Sequence, residues 1–287
     1  MLTKADISLV RSLADKRSRE EHGLFVVEGR KMVGEALASR FRVERAFATA
    51  EAAEEVVGGA RAGAENGLRT ATVRSLRPSP VRSPQPALAA TPEVTIVSDK
   101  EMERLSLLKT PSDALALVAI ERPPLPAPAA STALILALDD VQDPGNVGTI
   151  IRLADWFGIE DVVCSPASAD CYSPKVVQST MGAIFRVRVH YIPLAQWLAE
   201  QRAPVFGTFM EGENIYAAQL PAAGIVVMGN EGRGITPAVE AAVTRRLAIP
   251  PFLAAREGGS EGVGRGSESL NVAIATAIVC SEFRRRM

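Results

Sequence analysis

The sequence predicts an α/β protein in two parts. Three observations predict it. Short apolar runs with strand character alternate with helical repeats along both halves of the chain. In the second half these alternations point to a mostly parallel sheet with helices on both faces. A proline-rich stretch, residues 123–131, lies between the halves and reads as an extended, fairly stiff linker.

The first half is a small α/β domain covering 1–122. Residues 2–14 form a short helix with Ile7, Val10 and Leu13 on one side. After a basic turn, Leu24–Val27 is a strand and a helix begins near Glu28. Val43–Ala48 is the next strand and Glu51–Val57 a short helix. VTIVSD (94–99), KEMERLSLL (100–108) and ALALVAI (114–120) continue as strand, helix and strand. Residues 58–92 interrupt the pattern. They are rich in Ala, Gly, Pro, Ser and Arg, have little periodicity, and read as a disordered insertion.

The second half, 132–287, is expected to carry strands at 133–138, 161–164, 185–189, 204–209, 224–228 and 246–249. Helices are expected at 146–157, 174–180, 193–201, 236–243 and 269–284. Ligands of open α/β sheets bind at the carboxyl ends of the strands, so the turns that follow those strands hold the candidate residues.

Composition narrows the classes. A chain of 287 residues favours two domains, and 47% hydrophobic with 23% charged residues describes an ordinary soluble globular protein. No apolar run reaches the roughly 18 residues that span a bilayer, so no membrane partner is expected. The N-terminal run has no signal-peptide apolar region. Cys164, Cys171 and Cys280 are odd in number and lack CxxC spacing, which fits a reduced cytoplasmic compartment and not a zinc site. With only His22 and His190 present, a histidine mechanism is disfavoured from the start. The net charge of −1 decides nothing, because nucleic-acid binding needs a local basic face.

Three segments carry chemistry. The first is LALDDVQDPGNVGTIIRLADWFGI (136–159): a strand, a polar elbow and a helix expected to be capped by Asn146. Val147, Ile150, Ile151, Ala154 and Phe157 form the buried stripe, and Arg152 falls off it. The second is AAGIVVMGNEGRGI (222–235), a strand running into a glycine-rich turn that is neither a Walker loop nor a dinucleotide fingerprint. The third starts at Ile249-Pro250 and ends in a helix opening at Ser269-Leu270-Asn271. Taken singly, each has an ordinary structural reading: a capped helix, a turn, a core helix.

Together and in this order they resemble the three motifs of the SpoU/TrmH family, the SPOUT-class RNA ribose 2′-O-methyltransferases. DDVQDPGNVGTIIRLADWFGI, VVMGNEGRGI and IPP…ESLNVAIATAI carry the likeness, with STMGAIFRVRV (179–189) between the first two. EEHGLFVVEGRKMVGEAL and LLKTPSDALALVAI resemble the substrate-binding domain of many members, similar to a ribosomal-protein-type RNA-binding module.

The resemblance implies a trefoil knot near the C-terminus, a homodimer with active sites at its interface, and S-adenosyl-L-methionine as methyl donor with no metal. It places donor binding at Thr208, Met210, Gly212, Met228, Gly229, Gly234, Ile249, Pro250 and Leu270, and catalysis at Asn146, Arg152, Glu231, Ser269 and Asn271. The family has proposed the arginine as base. A guanidinium is too basic to be found deprotonated, so Arg152 is expected to bind phosphate and stabilise the developing alkoxide. Asn146 would orient that arginine or the ribose, and Glu231 would fix the loops. Asp139, Asp140 and Asp143 are read as solvated turn acids.

Arg17, Arg19, Arg30 and Lys31 are candidates for RNA phosphate contact, with a solvated surface charge as the alternative for each. The arginines of 58–92 are either solvated or help hold RNA. The N-terminal extension favours rRNA over tRNA as substrate. The competing reading is a catalytically silent RNA-binding or ribosome-assembly protein on the same fold. The loop 251–268 is longer than the family pattern and is either a lid or a tolerated insertion.

Overall fold

The computed structural model describes residues 2–58, 94–125, 132–251 and 269–285. Residues 59–92 of the insertion, 252–268 of the loop and most of the linker therefore lie outside the described residues. Two compact units emerge. One is Met1–Arg122 with Asp170–Arg186, and the other is Pro123–Ala169 with Val187–Met287.

The first unit opens with α1 (Lys4–Ser12), whose Thr3 cap and Asp6 satisfy each other's backbone in a capping box. α2 (Lys16–His22), β1 (Leu24–Glu28), α3 (Arg30–Ala38) and β2 (Val43–Ala48) follow. A helix over 50–58, here α4, precedes β3 (Val94–Ile96), α5 (Asp99–Leu105) and β4 (Ala114–Ala119). The sheet order is β1-β4-β2-β3, antiparallel except for the β2–β3 pair. Val10, Leu13, Val26, Phe47, Met102, Leu105, Leu115 and Leu117 form a core on this sheet.

The helix expected from Glu28 begins two residues later. Glu28 ends β1, and Gly29 makes the corner at φ +102°. The Glu28 carboxylate is buried and accepts from Ser106 Oγ, Leu107 N and Ser112 Oγ at 2.5, 2.8 and 3.1 Å. It is the anchor that shapes the chain after α5.

Residues 170–186, expected within the second half, belong to this first unit. They contain α7 (Pro174–Thr180) and a 3₁₀ turn, Ala183–Phe185. Tyr172 packs on Phe25 at 4.7 Å between ring centroids, and Phe185 meets Phe41 edge-on at 5.4 Å. Asp170 binds the buried Arg19 at 2.6 Å.

The second unit is a six-stranded parallel sheet in the order β10-β8-β9-β5-β6-β7. Its elements are β5 (Leu134–Leu138), α6 (Pro144–Trp156), β6 (Asp161–Cys164), β7 (Arg188–Tyr191), α8 (Leu194–Ala199), β8 (Val205–Asn214), β9 (Gly224–Met228), α9 (Pro237–Glu240), β10 (Arg245–Ala248) and α10 (Val272–Arg285). β5 and β9 are buried at every residue, as parallel strands covered on both faces must be. Ile135, Ala137, Val205, Ile225 and Val227 pack against α8 and α9. On the other face Phe206 meets Phe283 of α10 edge-on at 5.1 Å. The strand expected at 185–189 is displaced to Arg188–Tyr191, because Phe185 is held in the aromatic cluster of the first unit.

β7 is an edge strand, fastened to β6 by a buried ion cluster. Asp161 accepts from His190 at 2.9 Å and from Arg188 at 2.7 and 2.8 Å. Burial alone would raise the Asp161 pKa. The hydrogen bonds from His190 and Arg188 and the Arg188 charge outweigh that and hold it at about 2.

Two predictions follow from these ion pairs. A carboxylate depressed in the folded state stabilises the fold above its unfolded pKa and loses that contribution as pH falls through the folded value. Urea unfolding should therefore show stability dropping between about pH 4 and pH 2, and Asp161→Asn should remove that part of the slope. Asp170→Ala leaves Arg19, 3% exposed, without its carboxylate. It should cost about 3 kcal/mol in the same measurement, as an uncompensated buried charge does.

Candidate active site

Asp139 and Gly229 leave adjacent parallel strands side by side, and Asp139 N–H donates to the Met228 carbonyl at 2.9 Å. The two key loops therefore start from one point on the carboxyl edge of the sheet.

The first loop runs into α6. Its N-cap is Asp143, not Asn146 as expected. The Asp143 carboxylate accepts the Asn146 N–H at 2.8 Å, and Pro144 opens the helix. An Asp before a Pro at the first helical position was the available signal for this. The acids of the elbow are not simply solvated. Asp139 is 2% exposed and accepts the Thr236 N–H at 2.6 Å. Asp140 has φ +56° and binds Ser165 Oγ at 2.7 Å.

The second loop is folded by Asn230, which the sequence reading passed over. Its side-chain oxygen accepts the N–H groups of Gly232 and Arg233 at 2.9 and 3.1 Å, and its amide donates to the Asp140 carbonyl at 2.9 Å. A two-way backbone bridge between Asn230 and Gly234 closes the turn. Gly234 sits at φ +69°, and a Cβ on Gly229 would come within 2.4 Å of the Gly234 carbonyl carbon. A side chain at Gly229 would have to move backbone, and one at Gly234 would be strained by its left-handed φ. Glu231 stands exposed in this turn.

The third piece is the start of α10. Asn271 precedes it, and its side-chain oxygen accepts the N–H groups of Ala273 and Ile274 at 2.9 and 3.3 Å. α6 and α10 run side by side in the same direction. Their starts are joined through Asn146 and Asn271, and Arg284 near the end of α10 donates to the Phe157 and Gly158 carbonyls beyond α6.

These three pieces meet in one hydrogen-bonded chain. Asn271 Nδ2 donates to Asn146 Oδ1 at 3.0 Å, and Asn146 Nδ2 donates to Glu231 Oε1 at 2.5 Å. Residues 146, 231 and 271, far apart in sequence, share one cluster.

Ser269 is exposed beside it and makes no hydrogen bond to a described residue. Arg152 is not brought in. It lies six residues along α6 from Asn146, about 9 Å along the axis and about a third of a turn away. It is exposed, with no hydrogen bond or ion pair among the described residues.

The residues expected to hold a donor come from neighbouring strand ends. Thr208, Met210 and Gly212 lie on β8, Met228 ends β9, Ile249 and Pro250 follow β10, and Leu270 precedes α10. Consecutive residues Arg246 and Leu247 of β10 pair with Gly207 and Glu213 of β8, so residues 208–212 bulge out of register. Thr208 Oγ1 donates to the Val227 carbonyl at 3.1 Å. Met210 and Leu270 expose apolar side chains there, at 68% and 48%.

Of the expected RNA contacts, Arg19 is corrected. It is buried and consumed by Asp170 and the Leu13 and Ala14 carbonyls, so it holds the fold. Arg30 is ringed by Asp113, Glu51 and Glu55 at 2.5, 3.1 and 3.2 Å, which neutralises its charge. Lys31 is exposed and stands 3.9 Å from Glu35, and the Arg17 side chain is exposed. Burial pushes the Cys164 and Cys280 thiols up to about 12, so neither serves as a thiolate nucleophile.

Comparison with known proteins identifies the family. Residues 133–281 match the SpoU rRNA Methylase family, and residues 4–116 match an MRM3-like substrate binding domain. The 23S rRNA (guanosine(2553)-2′-O)-methyltransferase RlmP of Bacillus subtilis is 32% identical over 160 residues, 54% of this chain and 59% of that protein. The chain thus spans 59% of the length of that curated relative. The structure of a putative RNA methyltransferase of the TrmH family from Porphyromonas gingivalis is similar over 100% of both chains, with TM-score 0.75 and 39% identity. An AdoMet-bound rRNA methyltransferase from Sinorhizobium meliloti shares the fold, with TM-score 0.75 and 24% identity over 100% of this chain and 97% of that one. The family match covers more than half of the sequence and contains every residue of the hydrogen-bonded cluster, and the chain belongs to the SpoU rRNA Methylase family.

Proposed function

We propose that this chain methylates a ribose 2′-OH of structured RNA, ribosomal RNA before transfer RNA, with S-adenosyl-L-methionine as donor. The observation that carries the reading is the cluster of Asn146, Glu231 and Asn271, in which three separated motifs converge beside the donor strands. The RNA is inferred from the family and from the named activity of the Bacillus subtilis relative. The first unit is its RNA-binding domain, with Lys31 and Arg17 as accessible cations.

The strand-end residues fit the donor. The β8 bulge (208–212) and the Met228–Gly234 turn offer backbone polar groups, and Met210 and Leu270 offer apolar surface, the mixture an adenosine needs. S-adenosyl-L-methionine supplies a methyl group made electrophilic by its sulfonium. The chain's own work is to hold ribose and donor in line, where positioning is a large part of the rate. Asn146, Asn271 and Ser269 orient the ribose at the helix starts.

Arg152 acts on a second copy. Its distance from the cluster and its exposed, unengaged guanidinium support a homodimer in which it reaches the neighbouring site, binds phosphate and stabilises negative charge on the attacking oxygen. The C-terminal trefoil knot belongs to the same reading and rests on the family resemblance. Cytoplasmic location is supported by the buried thiols of Cys164 and Cys280. No helix of the described residues is long and apolar enough to cross a membrane.

The test is transfer of tritiated methyl to total RNA from a strain lacking the protein. Label should appear in one rRNA species and protect one site from alkaline cleavage. Arg152→Ala should lower the rate by about a hundredfold or more. Donor binding without any transfer would favour the silent RNA-binding reading, and full activity of the variant would remove Arg152 from the site.

A further inference from the structure

Methylation of a hydroxyl requires a place for its proton, and among the described residues the charged groups at the cluster allow few. Neither histidine belongs to the cluster's loops: His190 is buried on β7 against Asp161, and His22 is part of α2. A guanidinium does not take a proton. Asp139 is buried with an oxygen committed to Thr236, Asp140 is bonded to Ser165, and Asp143 caps α6. Glu231 is different. It is exposed, one oxygen is held by Asn146, and the other bonds to no described residue.

The amides around it have only one consistent orientation. Backbone N–H groups of α10 need an acceptor, so Asn271 must turn its oxygen to Ala273 and Ile274. Its NH₂ then faces Asn146, whose oxygen must face back. Asn146 is left with an NH₂ to offer Glu231. The start of α10 thus fixes one carboxylate oxygen through two amides and leaves the other free.

We infer that Glu231 is the proton acceptor of the reaction and that Asn146 and Asn271 are its positioning residues. This rests on the methyltransferase reading. The ribose 2′-oxygen bonds to the methyl carbon as the carbon–sulfur bond breaks, and that electron pair stays on sulfur. The hydroxyl proton passes to the free oxygen of Glu231. A sulfonium and a carboxylate become a neutral thioether and a carboxylic acid, so charge balances without a further reactant. The proton becomes strongly acidic as the O–methyl bond forms, so a carboxylate at short range suffices, and geometry matters more than base strength.

The experiment compares the full-length protein with Glu231→Gln, Glu231→Asp and Asn271→Ala. Single-turnover methyl transfer is measured across pH, and donor affinity by calorimetry. Among the described residues, the charged groups on its turn and on the elbow before α6 are Arg233, Asp139, Asp140 and Asp143, and all are unchanged in these variants. Glu231→Gln keeps the shape and loses the base. It should transfer a hundredfold or more slowly with donor affinity within twofold, and its rate should rise with pH where the wild type is level. Glu231→Asp should recover part of the rate. Asn271→Ala should slow transfer while keeping the wild-type pH profile. Near-normal transfer by Glu231→Gln would overturn the proposal. So would a rate lost together with donor binding, or a pH profile unchanged by the substitution. Absence of transfer by the wild type, with donor bound, would overturn the methyltransferase reading itself and this role with it.

Discussion

The candidate site depends on Asn146 having a side chain to spare. A helix start exposes N–H groups that some oxygen must satisfy. If Asn146 met that need, its side chain would fold back onto its own helix and away from Asn271 and Glu231. Asp143 takes the task instead, one turn earlier, with Pro144 removing one donor that would otherwise need a partner. The amide is then free to face two ways, toward Asn271 and toward Glu231. The pairing of β5 with β9 makes this possible, because it delivers the elbow at Asp139 and the turn at Gly229 to the same point of the sheet edge.

Much of the fold was legible because the strands are short, apolar and sharply bounded. Val43–Ala48, Asp161–Cys164 and Gly224–Met228 occupy the residues that alternation and turn signals assign to them, as does the helix Pro174–Thr180. The motif residues Asn146, Glu231 and Asn271 were also legible, through the family resemblance and not through composition. What could not be read was partner choice. Nothing local in Arg19 says that its guanidinium is buried against Asp170, 151 residues away. Nothing local in Arg30 marks the three carboxylates that surround it. Both look like surface cations in a basic stretch. Phe185 likewise reads as the start of a strand, and its aromatic partner Phe41 pulls it into a 3₁₀ turn instead.

Residues 170–186 change how the two units are understood. A linear boundary near the proline-rich stretch suggests a single tether, but the chain passes between units at 122–123, 169–170 and 186–187. The inserted segment is not decoration on the first unit. It supplies Tyr172 to Phe25, Phe185 to Phe41 and Asp170 to Arg19, so the core of that unit is incomplete without a segment that lies, in sequence, between the two stretches of the second unit. The first unit is therefore built from both ends of a long sequence separation, and 1–122 alone leaves a buried arginine and two aromatic faces uncovered.

The placement of charge at the cluster has its own logic under the proposed reaction. A sulfonium donor is a cation, and an arginine fixed beside it would oppose binding by about 4 kcal/mol at 4 Å for an effective dielectric constant near 20. The cluster holds amides and one carboxylate, while Arg152 stands about 9 Å along α6. The guanidinium is useful only at the attacking oxygen, where negative charge develops. Keeping Arg152 six residues along α6 from Asn146 spares the donor that repulsion, and the homodimer proposed above is what brings a guanidinium to the attacking oxygen.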